Sequence, residues 1–283
     1  MKMKKSLCLA LTLLLVLFAS AAMAAKLEPR STQIEETITW ESDTLKITID
    51  QWLYVYKNFD LRFYVAVVDA AAPEQLRTAF AGERYSKDET EATGDIAARH
   101  NAVLAINGDY YNYKDKIGLV IRNGELYRDE PGSRDHLLVE KDGSFTGLTK
   151  AEYKAGLGEE YIARGVQQSF TFGPLLVRDG EIVELPEKYT IYTDEDIREP
   201  RSAIGWVDET KYVVVVADGR RKDWSPKGMN LQELQQVFVQ YGCQVAYNLD
   251  GGGSATLLLN GELVNRPSGS RQRDVSDIVF FTN

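Results

Sequence analysis

The chain has 283 residues, of which 42 are acidic and 33 basic, and a formal net charge of −9. This length is enough to bury a substantial core in one large domain or two small ones. The negative charge gives no electrostatic attraction to nucleic acid or to an anionic membrane surface, so neither is expected as a partner. An anionic ligand therefore needs a local site that is rich in basic side chains or backbone amides.

The N-terminus has the pattern of an export signal. Three lysines in the first five residues precede an apolar run from Leu7 to Leu17, and Ala22-Met23-Ala24 follows as a small-x-small cleavage pattern. The run is shorter than the about 20 apolar residues of a membrane-spanning helix. We therefore expect a signal peptide over residues 1–24, a flexible lead-in over 25–33 and one domain over 34–283. The mature protein is expected to be secreted, periplasmic or extracellular, without membrane attachment.

Cysteine and histidine are too few for several common kinds of site. Cys243 alone remains after signal removal, so no intramolecular disulfide is possible, and it is expected to be a small buried apolar residue. With only His100 and His136 beside it, a zinc site is not expected. No cofactor is expected, although acidic side chains alone can hold calcium or magnesium, which leaves such an ion open.

The predicted elements mix strands and helices. Strands are expected over Leu45–Ile49 and Leu61–Val68, and a short helix over Glu89–His100. A second helix is expected over Asn230–Tyr241, because Asn230 and Glu233 have capping-box spacing and a glycine follows. Together these elements predict a single α/β (α+β) domain with a mixed β-sheet, several hairpins and a few helices.

Asn-Gly and Asp-Gly pairs fall into two groups. Four of them separate alternating segments and predict hairpin turns in which both residues take positive φ; they are Asn123-Gly124, Asp142-Gly143, Asp179-Gly180 and Asn260-Gly261. The other three end apolar runs, which are typical of strands covered on both faces; the runs are Ala102–Ile106, Val213–Ala217 and Val245–Leu249. Ligands often bind at the carboxyl ends of such strands, so the polar residues that follow are candidates for one site.

The segment Asp250–Ser254 is the first of these candidates. Its three glycines expose backbone amides that suit a phosphate, but no lysine or helix follows as in a nucleotide P-loop. Arg201, which enters an apolar strand, has a planar guanidinium that can bind a phosphate, but pairing with a nearby acidic residue is an equal alternative. Arg220, close to Asp218, leaves the same two alternatives open.

The segment Asn107-Gly108-Asp109-Tyr110-Tyr111-Asn112 is the other candidate. Its polar turn and two tyrosines suit contacts with sugar hydroxyls and a sugar ring. The alternative is an ordinary turn whose tyrosines cap the core.

Together these segments resemble the phosphodiester glycosidase family, and they occur in the family's order from about Leu61 to the C-terminus. The most specific of them is the last. The matching stretches are Ala105–Tyr111, Phe172–Pro174, Pro200–Gly205, Val216–Arg220, Gly228–Leu234 and Asn248–Thr256.

The resemblance implies a site and an activity. Asp250 and then Asp218 are the expected catalytic carboxylates; Asp109 is a weaker third candidate, because many family members carry glycine at that position. Substrate contacts are expected from these residues: Asn107, Gly108, Tyr110, Arg201, Arg220, Glu233, Gly251, Gly252, Gly253 and Ser254.

The expected function is a secreted hydrolase that cleaves the glycosidic C–O bond of sugar-1-phosphodiesters in cell-wall or extracellular glycans, with the sugar-phosphate or glycan as its partner. A phosphate monoester is a weakly basic leaving group, so one carboxylate and a phosphate-binding site suffice, without the proton-donating acid of ordinary glycosidases. Two alternatives stay open: a non-catalytic module that binds glycan or phosphate, and a metal-dependent phosphodiesterase that cuts the P–O bond.

Overall fold

The computed structural model describes residues 29–111, 117–185, 197–221 and 227–283. The expected signal peptide lies outside these residues, and the first strand begins at Ser31, inside the segment expected to be a lead-in. No helix of the described residues is long and apolar enough to cross a membrane.

Twenty strands and three α-helices make up the described part of the chain. The helices are α1 (Thr93–Arg99), α2 (Gly158–Arg164) and α3 (Leu231–Gln240). The strands are β1 (Ser31–Glu41), β2 (Leu45–Val55), β3 (Asp60–Ala70), β4 (Leu76–Phe80), β5 (Glu91–Ala92), β6 (Leu104–Asn107), β7 (Ile117–Arg122), β8 (Glu125–Gly132), β9 (His136–Val139), β10 (Phe145–Leu148), β11 (Gln168–Phe170), β12 (Leu175–Arg178), β13 (Glu181–Ile182), β14 (Arg201–Asp208), β15 (Lys211–Ala217), β16 (Val245–Asn248), β17 (Leu257–Leu259), β18 (Glu262–Leu263), β19 (Asp274–Val275) and β20 (Asp277–Phe281).

Two sheets form the body of the molecule. The larger has eight strands in the order β1-β2-β3-β15-β14-β16-β12-β13, and the second has five in the order β18-β17-β6-β20-β4. Smaller sheets are formed by β10-β9-β11, by β19-β5 and by β7-β8. Every strand pair among the described residues is antiparallel. The predicted mixed α/β (α+β) class is therefore wrong, and the protein is mainly β.

The eight-stranded sheet is covered on both faces, which explains the apolar runs in the sequence. One face of the eight-stranded sheet packs against the five-stranded sheet, and the opposite face packs against α3. Along β15, Val214 and Val216 belong to the first core, whereas Val213 and Val215 belong to the second. An antiparallel sheet covered on both faces thus produces the continuous apolar sequence that is more typical of parallel sheets. The runs predicted buried strands correctly but not their direction.

The local predictions differ in outcome. The helix α3 is confirmed: the Asn230 side chain accepts a hydrogen bond from the Glu233 amide, and the Glu233 side chain closes the capping box. The helix expected over Glu89–His100 is shorter, because Glu91 and Ala92 form β5 and α1 begins only at Thr93. Three of the four predicted hairpins have positive φ at both turn residues, but Asp142 does not; its carboxylate instead accepts a hydrogen bond from the Ser144 amide.

Candidate active site

Two of the predicted strand ends meet at one edge of the larger sheet. Both β15 and β16 pair with β14 in the antiparallel sense, so they run in the same direction and end on the same side. Asp218 follows β15 directly, and Asp250 lies just beyond β16. Arg201 begins β14 between them. An antiparallel sheet therefore brings together the side chains that the sequence placed at strand ends.

The third predicted strand end, that of β6 in the five-stranded sheet, contacts the glycine segment that follows Asp250. Asn107 is the last residue of β6 and is fully buried. Its Nδ2 donates to the carbonyl oxygen of Asp250 at 2.6 Å, and its Oδ1 accepts from the amide of Thr256 at 3.3 Å. Asn107 thus fixes the backbone on both sides of the glycine segment, which gives it a positioning role.

Asp250 is the carboxylate at the centre of the site. Its Oδ2 accepts a hydrogen bond from Ser254 Oγ at 2.6 Å and an ion-paired one from Arg273 Nη2 at 2.8 Å. Arg273 also donates to Ser254 Oγ, with an Nε–Oγ distance of 2.9 Å. Burial raises the pKa of Asp250, while Arg273 and Ser254 oppose the rise. The Asp250 side chain is 13 % exposed, and the Arg273 side chain beside it is half exposed.

These three side chains line a cleft of about 280 Å³. Its volume lies at the small end of ligand sites and suits a sugar-sized group. Carboxylate, hydroxyl and guanidinium on one wall suit a substrate that has both hydroxyls and a phosphate. The lining residues are Thr90, Gly108, Asp109, Tyr110, Asp250, Ser254, Arg273, Asp274, Val275 and Ser276.

Asp109 lines the same cleft, but its oxygens are engaged by the protein. Oδ2 accepts from the amide of Thr171 at 2.6 Å and from its hydroxyl at 3.3 Å, while Oδ1 accepts from the Tyr110 amide at 3.0 Å. The backbone carbonyl of Asp109 accepts from Ser276 Oγ. This geometry favours a role in holding the wall of the cleft rather than in proton transfer.

A buried ion pair lies behind Gly108 and was not found from the sequence. Arg122 donates to Asp277 Oδ2 through Nε at 2.9 Å and Nη2 at 2.7 Å, and neither side chain is more than 2 % exposed. A Cβ at Gly108 would lie 2.4 Å from Asp277 Oδ1, so only glycine fits there. Burial raises the pKa of Asp277 to about 7, Arg122 opposes the rise, and Asp109 adds to it.

Asp218 occupies a different environment from Asp250. It is 1 % exposed and does not line the cleft. Its Oδ1 accepts from the Arg266 amide at 2.9 Å and from Asn265 Nδ2 at 3.3 Å, and Oδ2 accepts from the Tyr64 hydroxyl at 3.4 Å. Burial raises its pKa to about 6, against these hydrogen bonds. Asp218 therefore anchors the segment after β18.

The glycine segment is packed against the protein. The Gly252 amide donates to the Pro200 carbonyl at 2.8 Å, and the Ser254 amide donates to the Gly251 carbonyl at 3.1 Å. A Cβ at Gly251 would lie 2.5 Å from the Pro200 oxygen, which excludes any side chain there. These two amides are used within the fold, so the glycines chiefly allow close packing; the predicted phosphate contact through them stays a prediction.

The two arginines among the predicted substrate contacts, Arg201 and Arg220, lie outside the lining of the cleft. Arg201 is 4 % exposed, its Nε donates to the Met229 carbonyl at 3.0 Å, and burial lowers its pKa to about 10. Arg220 pairs with Glu199 and its Nη1 lies 3.1 Å from the position of a Cβ at Gly252, so it covers the glycine segment from outside.

Glu233 has a structural role. Besides capping α3, Glu233 accepts two hydrogen bonds from Arg198: Oε2 accepts from Nη1 at 2.6 Å and Oε1 accepts from Nη2 at 2.7 Å. Its Oε1 also accepts from the Tyr56 hydroxyl at 2.7 Å. Tyr56 packs against the core that lies between the larger sheet and α3. Its place in a family motif is thus explained by the helix N-terminus.

Arg273 is the charged residue of the cleft that the sequence analysis missed. It lies in the loop before β19, 19 residues beyond Ser254. The only signal was the segment Ser270-Arg271-Gln272-Arg273, which is locally basic in an acidic protein. No group of three or more His, Cys, Asp or Glu side chains in the described parts of the chain is arranged to hold a metal ion.

The fold and the cleft define a mainly antiparallel β protein with a carboxylate–arginine site at a sheet edge. The profile of the phosphodiester glycosidase family matches residues 100–282. The chain therefore belongs to the phosphodiester glycosidase family, a family of hydrolases, as its motifs predicted.

Relatives of known sequence support this assignment. The SPbeta prophage-derived uncharacterized protein YomE of Bacillus subtilis is 29 % identical over 197 residues, which cover 68 % of this chain and 30 % of that protein. The N-acetylglucosamine-1-phosphodiester alpha-N-acetylglucosaminidase of Homo sapiens is 26 % identical over 235 residues, covering 74 % of this chain and 44 % of the enzyme. The chain thus spans less than half the length of these relatives.

Solved structures share the fold. The zebrafish N-acetylglucosamine-1-phosphodiester alpha-N-acetylglucosaminidase catalytic domain, auto-inhibited by its pro-peptide, superposes with a TM-score of 0.71 at 22 % identity, covering 89 % of this chain and 88 % of that one. A hypothetical protein from Synechocystis gives a TM-score of 0.57 at 17 % identity, covering 87 % and 63 % of the two chains.

Proposed function

We propose that this protein hydrolyses the bond between the anomeric carbon of a sugar and the oxygen of a phosphodiester. The observation that carries the proposal is the contact of Asp250 with both Ser254 and Arg273 in an open cleft. It is supported by membership of the phosphodiester glycosidase family. A carboxylate provides the base or nucleophile, and a guanidinium provides the charge that a departing phosphate needs.

The step can be written with Asp250 as base. Asp250 accepts a proton from water, the water oxygen bonds to the anomeric carbon, and the carbon–oxygen bond to phosphate breaks. Its electron pair leaves with the phosphate monoester, which Arg273 stabilises. The raised pKa of Asp250 suits it to proton transfer nearer neutral pH than an exposed aspartate. With Asp250 as nucleophile instead, water reacts with the anomeric carbon in a second step.

Arg273 is better placed than Arg201, the arginine that the sequence suggested, to bind the phosphate of the substrate. Arg273 is half exposed and its guanidinium lies at the cleft, whereas Arg201 is buried against the Met229 carbonyl. We therefore place Arg273 in the phosphate-binding role. The substrate we propose is a cell-wall or extracellular glycan that contains sugar-1-phosphodiesters, because the N-terminal sequence predicts export.

The test is hydrolysis of a panel of sugar-1-phosphodiesters in ¹⁸O-labelled water, with mass analysis of both products. We expect the label on the sugar, because water attacks carbon in either form of the step. Label on the phosphate would identify a phosphodiesterase that cuts the P–O bond and would overturn the proposal. Binding of the panel without turnover would identify a binding module.

A further inference from the structure

A second cavity lies beside the active-site cleft. It has a volume of about 310 Å³ and shares with the cleft the loop that leads into β19. Residues 269–272 of this segment line the second cavity, and residues 273–276 line the cleft. The described residues that line the second cavity are Arg221, Leu263, Asn265, Arg266, Pro267, Gly269, Ser270, Arg271 and Gln272.

The charge of this lining is opposite to that of the whole chain. Arg221, Arg266 and Arg271 contribute to it, and no carboxylate is among the described residues that line it. The whole chain, by contrast, has 42 acidic and 33 basic residues. Arginines gathered around a concave surface concentrate the positive potential there and attract anionic groups. The second cavity is therefore a local basic site of the kind that an acidic protein needs in order to bind an anion.

The walls of the second cavity are fixed by hydrogen bonds. Arg221 Nη1 donates to the Pro267 carbonyl at 3.0 Å, and the Arg266 amide donates to Asp218 at 2.9 Å. Gln272 Oε1 accepts from the Gly94 amide in α1 at 2.9 Å. The Arg221 side chain, the Arg266 backbone and Gln272 next to Arg271 are therefore held in place before a ligand arrives, which lowers the cost of binding.

Distance along the chain links the two cavities. Arg271 lines the second cavity and Arg273 contacts Asp250 in the cleft, and the two are separated by one residue. Two residues of chain span at most about 7 Å. The Cα atoms of Arg271 and Arg273 therefore lie within about 7 Å of each other, so the second cavity and the cleft border the same short segment.

We propose that the second cavity binds a further anionic group of the substrate, a phosphate or a carboxylate that follows the scissile phosphodiester. The inference rests on the proposed function for the identity of the reaction, but the anion site itself does not. The substrate class it names is a polyanionic glycan, such as a chain of sugars joined by successive phosphodiesters, rather than an isolated sugar-1-phosphodiester.

Binding is tested first, with inorganic pyrophosphate as the probe in isothermal titration calorimetry at low ionic strength. We expect two equivalents to bind to the wild-type protein, and one to Arg271→Gln. Arg77→Gln is the matched control, because Arg77 is also exposed but lies on β4, outside both cavities. The same stoichiometry and affinity in wild type and Arg271→Gln would overturn the inference.

Specificity is tested second, with two synthetic substrates that differ only in a second anionic group on the aglycone, phosphate in one series and carboxylate in another. We expect wild type to favour the doubly anionic substrate by about tenfold in kcat/KM, as charge-assisted hydrogen bonds of this kind provide. Arg271→Gln should lose this preference and Arg77→Gln should keep it. The series with the larger preference identifies the group, and an equal preference in wild type and Arg271→Gln would contradict the inference.

The two proposals fail in different ways. A wild-type protein that hydrolyses none of the substrates contradicts the proposed function, while the pyrophosphate titration still decides whether the second cavity binds anions. Hydrolysis without a difference between Arg271→Gln and wild type contradicts only the second cavity. Arg271 is exposed, so its replacement is not expected to impair folding, which a thermal melt of each variant checks.

Discussion

Asp218 and Asp250 have similar sequence contexts and opposite surroundings. Each follows a buried strand that flanks β14, each precedes glycine, and burial raises the pKa of each. Asp250, however, pairs with an arginine in a cleft, whereas Asp218 is surrounded by an amide, an asparagine and a tyrosine. The end of a strand therefore places a carboxylate, and residues from distant segments decide its role.

The largest expected effect is on Asp250. Asp250→Asn keeps the shape but removes the negative charge, so it should lower kcat by at least about 10³-fold, the scale seen when a reacting group is lost. The measurement is turnover of a sugar-1-phosphodiester by protein whose thermal melt is unchanged. Asp208→Asn, an exposed change at the end of β14, is the control. Near-normal turnover by Asp250→Asn would contradict the catalytic role proposed for Asp250.

Arg273 is expected to give the next largest effect. Arg273→Gln removes the charge beside Asp250 and should lower kcat by about 10²-fold, as does loss of one preorganised donor. Arg273→Lys should recover part of that loss, because it restores the charge but not the planar pair of donors. Steady-state kinetics of the two variants measures the difference. If both variants were fully active, Arg273 would have no part in stabilising the phosphate.

Replacing Asp218 should affect the stability of the protein far more than its turnover. Asp218→Ala leaves the Arg266 amide and Asn265 without their acceptor in a buried place, which should reduce the free energy of unfolding by about 2 kcal/mol. Asp218→Asn keeps an oxygen for both donors, so it should stay folded with kcat within about tenfold of wild type. Denaturant unfolding and kinetics check both. A loss of turnover by Asp218→Asn comparable to that of Asp250→Asn would remove the distinction between the two aspartates.

The smallest expected effect is that of Asp218→Asn on the pH dependence of the free energy of unfolding. The pKa of Asp218 is raised to about 6 in the folded protein from 3.8. Between these values the folded state binds more protons, so Asp218 contributes stability at low pH that is lost as the pH rises to about 6. The free energy of unfolding of wild type minus that of Asp218→Asn should therefore fall over this window and level off above it.

The other buried titrating groups cancel in that difference, because both proteins retain them. His136, whose pKa is lowered by burial to about 3, is the clearest example, since it opposes Asp218 by reducing stability as the pH falls from 6.5. Denaturant unfolding at pH 4 to 8 measures the difference. A difference that stays constant over this range would show that Asp218 is not perturbed in the way its burial indicates.

Much of the local structure followed from the sequence alone. The capping box of α3 and three hairpin turns depend on neighbouring residues, and the structure confirms them. The burial of Cys243, expected from its small apolar side chain, is also confirmed. The family also followed from the sequence, because its motifs are short contiguous stretches. Of the expected site residues, Gly108, Asp109, Tyr110, Asp250 and Ser254 line the cleft.

Only the tertiary structure decided the fold class and the final composition of the site. A run of apolar residues shows that a strand is covered on both faces, but not whether its neighbours run parallel or antiparallel, so the predicted α/β class was wrong. Likewise, Arg273 and Arg122 reach the site from separate segments, and local patterns contain no information on such pairs. The sequence determined which residues end the strands, whereas side chains packed from distant segments determined that Asp250 is open to ligand and Asp218 is not.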